Sequence, residues 1–137
     1  MKQGQTFNVS RVEGVISIPL AIIKDRRLSF ATEVLYGLLV KHSGSAGYCA
    51  VAQRKLAEEM GVSIILVRKA VAQLKRMKYI MAVQGGYHYP SRYYFLWRNE
   101  FKLRRDSIKG VLIDPDLHTR IIKAAKKERK RKGTISE

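Results

Sequence analysis

Apolar residues recur at helical spacing in three stretches of the chain, and glycine, proline and serine punctuate them. The i, i+4, i+7 spacing of Val34, Leu38 and Lys41, with Leu35 and Leu39 alongside, predicts a helix that opens after Ser29 as N-cap and ends near His42. Gln53 to Met60 shows the pattern again, with Leu56, Ala57 and Met60 apolar, and Gly61 closes it by entering the left-handed region without a Cβ clash. Ser63 then opens a helix over Ile64 to Met77. Its stripe is Val67, Ala70, Val71 and Leu74, which leaves Arg68, Lys69, Lys75 and Arg76 for solvent or a partner. Ahead of these, Pro19 sits where a stubby helix through Asp25 begins. Behind them, Tyr79 to Gln84 and Arg92 to Trp97 read as strands of a hairpin, joined through Gly85-Gly86 and a loop with Pro90. Tyr48 to Val51 is a brief extended piece after the turn at Ser43 to Gly47.

The remainder divides by composition. Residues 1–13 form a polar arm, 14–98 a single domain, and 99–137 a basic C-terminal extension. In that extension Asp114 as N-cap and Pro115 at the first helical position start a final helix from about 115. Leu117, Ile121, Ala124 and Ala125 give that helix a narrow apolar seam, which pairs with a second copy of the chain or stays unpaired. The fold class expected is mainly α with a small β-hairpin (α+β).

Charge changes the picture most. The 137 residues carry 27 Lys and Arg against 11 Asp and Glu, a formal +16, which attracts polyanions, nucleic acid first and anionic membrane second. The membrane role is the weaker, because the apolar face of the last helix has no aromatic anchor. Cys49 is the one cysteine, so no intramolecular disulfide forms and the reducing cytoplasm is the expected compartment. Residues 1–10 lack the apolar core of a signal peptide, and no run approaches the ~20 residues of a membrane span.

Enzymatic signatures are missing. His42, His88 and His118 fall on three elements, Gly85-Gly86 lacks the lysine and serine of a phosphate cradle, and Asp114 and Asp116 flank Pro115 as capping residues favoured by the helix dipole. No cofactor or metal is expected, and no catalysis.

The informative constellation is helix, Gly61-Val62-Ser63 turn, helix, then hairpin. Ala57 permits two helices to cross closely, Gly61 makes the turn and Val62 packs beneath it, as a helix-turn-helix requires. From Ile18-Pro19-Leu20 through Leu28-Ser29, Val34 to Leu39, Gly47-Tyr48-Cys49, Leu56-Ala57, Met60 to Ser63, Val67 and Leu74 to Ile80 and Tyr93-Tyr94, the chain resembles the winged helix-turn-helix domains of phage and plasmid replication proteins and related regulators. That resemblance implies a helical core with a β-hairpin wing, the helix after Ser63 lying in the major groove of duplex DNA and the wing beside the backbone or minor groove. The implied role is replication initiation or its accessories, or transcriptional regulation.

Five positions depart from that pattern. Ile64, Ile65 and Leu66 stand where polar or basic residues are usual, and Ala52 and Lys78 replace an N-capping serine and a glycine. Aliphatic side chains have no hydrogen-bonding groups, so Ile64 and Ile65 either touch thymine methyls or form a protein-protein surface. On the first reading the DNA-binding residues are Ser63, Ile64, Ile65, Arg68, Lys69, Ala72 and Arg76 on the helix, and His88 and Arg92 in the wing. Lys126, Lys127, Arg129, Lys130 and Arg131 in the tail add non-specific affinity by displacing counterions. On the second, the apolar tip grips a replication or transcription protein while the tail tethers the assembly to nucleic acid. For Tyr87, Tyr93 and Phe95 the favoured role is packing the hairpin onto the core.

Overall fold

The computed structural model describes residues 1–44, 46–84, 90–102 and 123. Pro19 heads α1, Leu20–Lys24, which ends at Asp25. The Asp25 carbonyl accepts from the Leu28 N–H at 3.2 Å, making a β-turn with Arg26 and Arg27 at its centre. Ser29 Oγ then accepts from the Thr32 N–H at 3.3 Å and opens α2, Phe30–Ser43.

Helix α2 is buried on most sides, through Thr32, Leu35, Tyr36, Gly37, Leu38, Leu39 and Ser43. Of the stripe expected, Leu35, Leu38 and Leu39 are buried, but Val34 is only half-buried and Lys41 is exposed, and the buried face extends beyond that stripe to Thr32, Tyr36 and Gly37. The reason is position, since α2 is contacted by three later elements: β1 (Tyr48–Cys49), α3 (Gln53–Met60) and α4 (Ile64–Arg76). A further neighbour crosses at Gly37. A Cβ there would lie 2.7 Å from Ile18 Cγ1 and 3.3 Å from the Ser17 carbonyl oxygen, so the missing side chain is what lets the 16–18 segment lie against the helix.

Both later helices end in the same way, by a left-handed residue that folds the chain back. After α3, Gly61 adopts φ +68°, with the Val62 N–H donating to Ala57 O at 3.0 Å and the Gly61 N–H to Glu58 O at 3.2 Å. After α4, Lys78 occupies the equivalent place at φ +62°, with the Tyr79 N–H donating to Leu74 O at 3.0 Å. Ser63 caps α4 by accepting from the Leu66 N–H at 3.2 Å, whereas Ala52 gives α3 no side-chain cap.

The expected hairpin is part of a larger sheet. β2, Ile80–Val83, and β3, Arg92–Phe95, pair antiparallel, and β1 pairs with the far edge of β3 to give the order β1-β3-β2. The register sets Tyr48 opposite Tyr94 and Cys49 opposite Tyr93. Alternation turns Cys49, Ile80, Tyr93 and Phe95 toward the helices and Tyr48, Met81, Arg92 and Tyr94 outward. The result is an α+β fold with four helices and a three-stranded antiparallel sheet among the described residues. Ile22, Leu35, Leu39, Leu56, Val67, Leu74, Ile80 and Tyr93 form its buried centre.

Met1–Glu13 is exposed, with one 3-10 turn at Val9–Arg11. The helix expected from about 115 lies outside the described residues apart from Lys123, which is helical and exposed. No described helix is long and apolar enough to cross a membrane.

Candidate nucleic-acid interface

Helix α4 divides its residues sharply. Val67, Ala70, Val71 and Leu74 are buried, while Ile65, Leu66, Arg68, Lys69, Ala72, Lys75 and Arg76 are exposed. The i, i+3, i+4, i+7 and i+11 spacing puts Ile65, Arg68, Lys69, Ala72 and Arg76 on one outward strip that contains no acidic residue. Ser63 is exposed at its start, with its hydroxyl engaged in the cap.

The two isoleucines separate. Ile64 is half-buried and packs against the core, whereas Ile65 is 60% exposed and Leu66 37%. The phase of the buried stripe explains this, because Ile64 stands three and seven positions before Val67 and Val71 and shares their face. Apolar contact with anything outside the protein therefore falls to Ile65 and Leu66.

Arg92 begins β3 and is exposed, its guanidinium carbon 5.3 Å from the centroid of the Tyr48 ring. Tyr48 in turn lies 5.5 Å from the Tyr94 ring across the strand pair. Tyr93 is buried with its hydroxyl accepting from Gln53 Nε2 at 3.1 Å, and Phe95 packs edge-on to Tyr36 at 5.5 Å, so both serve the core. Tyr87, His88, Lys126, Lys127, Arg129, Lys130 and Arg131 lie outside the described residues.

Two polar arrangements beside α4 escape sequence reading. Gln73 reaches from α4 to the turn before α2: its Oε1 accepts from the Ser29 N–H at 3.1 Å and from Thr32 Oγ1, and its Nε2 donates to Arg27 O at 2.7 Å. On the other side of that turn, Asp25 accepts from Arg27 Nε at 2.9 Å and from the Tyr79 hydroxyl. The Arg27 guanidinium holds the Asp25 carboxyl well below the usual carboxylate range, against the opposing effect of burial. Arg98 lies over the Tyr79 ring at 4.4 Å, donates to Met77 O and pairs with Glu100. The signal for these groups is weak, since each pairs with a residue distant in sequence. Among the described residues no three of His, Cys, Asp and Glu gather as metal ligands.

The fold is similar to that of two solved structures. One is described as a Rep–DNA complex, with 17% identity and a TM-score of 0.52 over 74% of this chain and 89% of that one. The other is an N-terminal domain of a DNA-binding protein, with 19% identity and a TM-score of 0.50 over 76% and 90%. No protein-family model matches the sequence, and no curated protein does.

Proposed function

We propose that the chain is a winged helix-turn-helix protein that binds duplex DNA, with α4 in the major groove and the β2–β3 hairpin as the wing, and that it acts in replication initiation or regulation without catalysis. The observation that carries this reading is the outward strip of α4, cationic at Arg68, Lys69 and Arg76, apolar at Ile65 and free of acids, on a protein of formal charge +16. A strip of this kind suits a groove walled by phosphates, with Arg or Lys available for guanine and Ile65 for a thymine methyl. The likeness to a Rep–DNA complex supports the replication role, which fold alone does not separate from repression or partition. The reducing cytoplasm, beside the nucleoid, is the matching compartment.

A second reading is favoured by one observation, the exposure of Ile65 and Leu66 side by side. In it that tip docks on a replication or transcription protein, or on a second copy of the chain, and the basic tail supplies the DNA affinity.

Two variants divide the readings. Arg68→Ala combined with Lys69→Ala is expected to abolish sequence-dependent duplex binding in fluorescence anisotropy, leaving only what the tail provides. Ile65→Asp is expected to weaken binding to thymine-containing sites. Unchanged duplex binding in the double variant would overturn the first reading.

A further inference from the structure

The turn between α1 and α2 is held from two sides. Its own hydrogen bond joins Leu28 N–H to Asp25 O, and Leu28 is buried beneath it. Tyr79 and the Asp25–Arg27 pair fix its first half, and Gln73 fixes its second half by bonding Arg27 O and the Ser29 N–H. Yet the residues displayed at its centre, Arg26 and Arg27, are exposed. Arg27 is committed to Asp25, while Arg26 forms no ion pair among the described residues. Besides seating Leu28, fixing this turn sets the origin of a long cationic side chain, and pre-organised cations lose less freedom when they bind.

The location gives the turn its meaning. Gln73 lies on α4 between Lys69 and Arg76, four residues after one and three before the other, so all three share a side of the helix. The turn that Gln73 grips therefore stands against the edge of the outward strip. The backbone of the turn that carries Arg26 is thereby held on the side of α4 that Gln73 shares with Lys69 and Arg76.

We infer that Arg26 is a phosphate-binding residue, contacting the phosphodiester backbone at the lip of the groove that α4 enters, and that Gln73 is the positioning residue that holds its turn there. This rests on the proposed docking of α4. Phosphate contacts fix the register of a protein on duplex without carrying sequence information, and each releases counterions.

The test is duplex binding by the full chain over a range of salt, for Arg26→Ala, Gln73→Ala, their combination, and Lys41→Ala. Lys41 is exposed near the other end of α2, about 18 Å along the helix axis, and its loss changes the net charge equally. Arg26→Ala is expected to weaken preferred and unrelated duplexes alike, by about 3–10-fold, and to reduce the log–log salt slope by about one. Lys41→Ala is expected to leave the slope in place. Gln73→Ala is expected to lose part of the same slope, and the double variant to lose less than the sum. Equal slopes for Arg26→Ala and Lys41→Ala would reduce the effect to net charge and overturn the inference. Loss of binding in the Arg68→Ala, Lys69→Ala protein with none in Arg26→Ala would overturn it while leaving the docking of α4 intact. Failure of the unaltered chain to bind duplex would overturn both.

Discussion

The Tyr79 hydroxyl donates to Asp25 Oδ2 across 54 positions of sequence, tying the end of α1 to the start of the sheet. The same carboxylate accepts from the Arg27 side chain and its backbone N–H, and its side chain is only 9% exposed. Its folded pKa is depressed, so the stability it contributes is complete above the unfolded value of about 4 and is lost as pH falls through the lower folded value. Asp25→Asn is accordingly expected to be less stable at pH 7, by about 1 kcal/mol, with a difference that shrinks below about pH 4. Urea melts at pH 7, 5 and 3 measure this; a difference that grows toward acid would contradict it.

Lys78 takes a left-handed backbone conformation that is unfavourable for a residue with a Cβ. Lys78→Gly is expected to raise stability by about 1 kcal/mol, some 3–6 °C in Tm. Ala52→Ser, supplying the missing cap of α3, is expected to add about 0.5–1 kcal/mol. The sites lie on different elements, and a thermal melt of the double variant checks that the gains add.

Gly37 predicts the opposite sign for the same kind of exchange. Alanine is the better helix former by about 1 kcal/mol, but its Cβ would displace Ile18 and press on the Ser17 carbonyl. Gly37→Ala is expected to destabilise by about 1–2 kcal/mol net, with hydrogen exchange quickening at residues 16–18. A stabilised variant would mean that this segment yields freely.

Cys49 is fully buried in β1, and burial pushes its thiol up to about 11. A thiol-reactive probe at pH 8 is expected to label the native protein at least 10-fold more slowly than the urea-unfolded chain. Equal rates would place the thiol at the surface.

The elements around the candidate interface were legible because their signals are local. Gly61 and Ser63 bound α3 and α4 through backbone geometry and a hydrogen bond to a residue three positions away. The separation of Ile64 from Ile65 was also available, in the phase of Val67 and Val71, although residue type alone hides it. β1 is two residues long and has no period of its own, so its pairing with Tyr93 and Tyr94 depends on the assembled fold. Gln73 shows least of all: it reads as a polar residue at the margin of a helix, and its partners stand 41 to 46 positions away.

In the proposed function the folded domain reads duplex DNA through α4. Anisotropy of a labelled duplex titrated over salt, with the full chain and with a version ending at Lys109, separates reading by α4 from tethering by the tail. Tight, sequence-dependent binding that survives truncation is expected, with a log–log slope of roughly −5 for the full chain if six or so phosphates are contacted and a shallower slope without the tail. Weak binding that ignores sequence and disappears with the tail would contradict it, and would give the exposed tip of α4 to a protein partner.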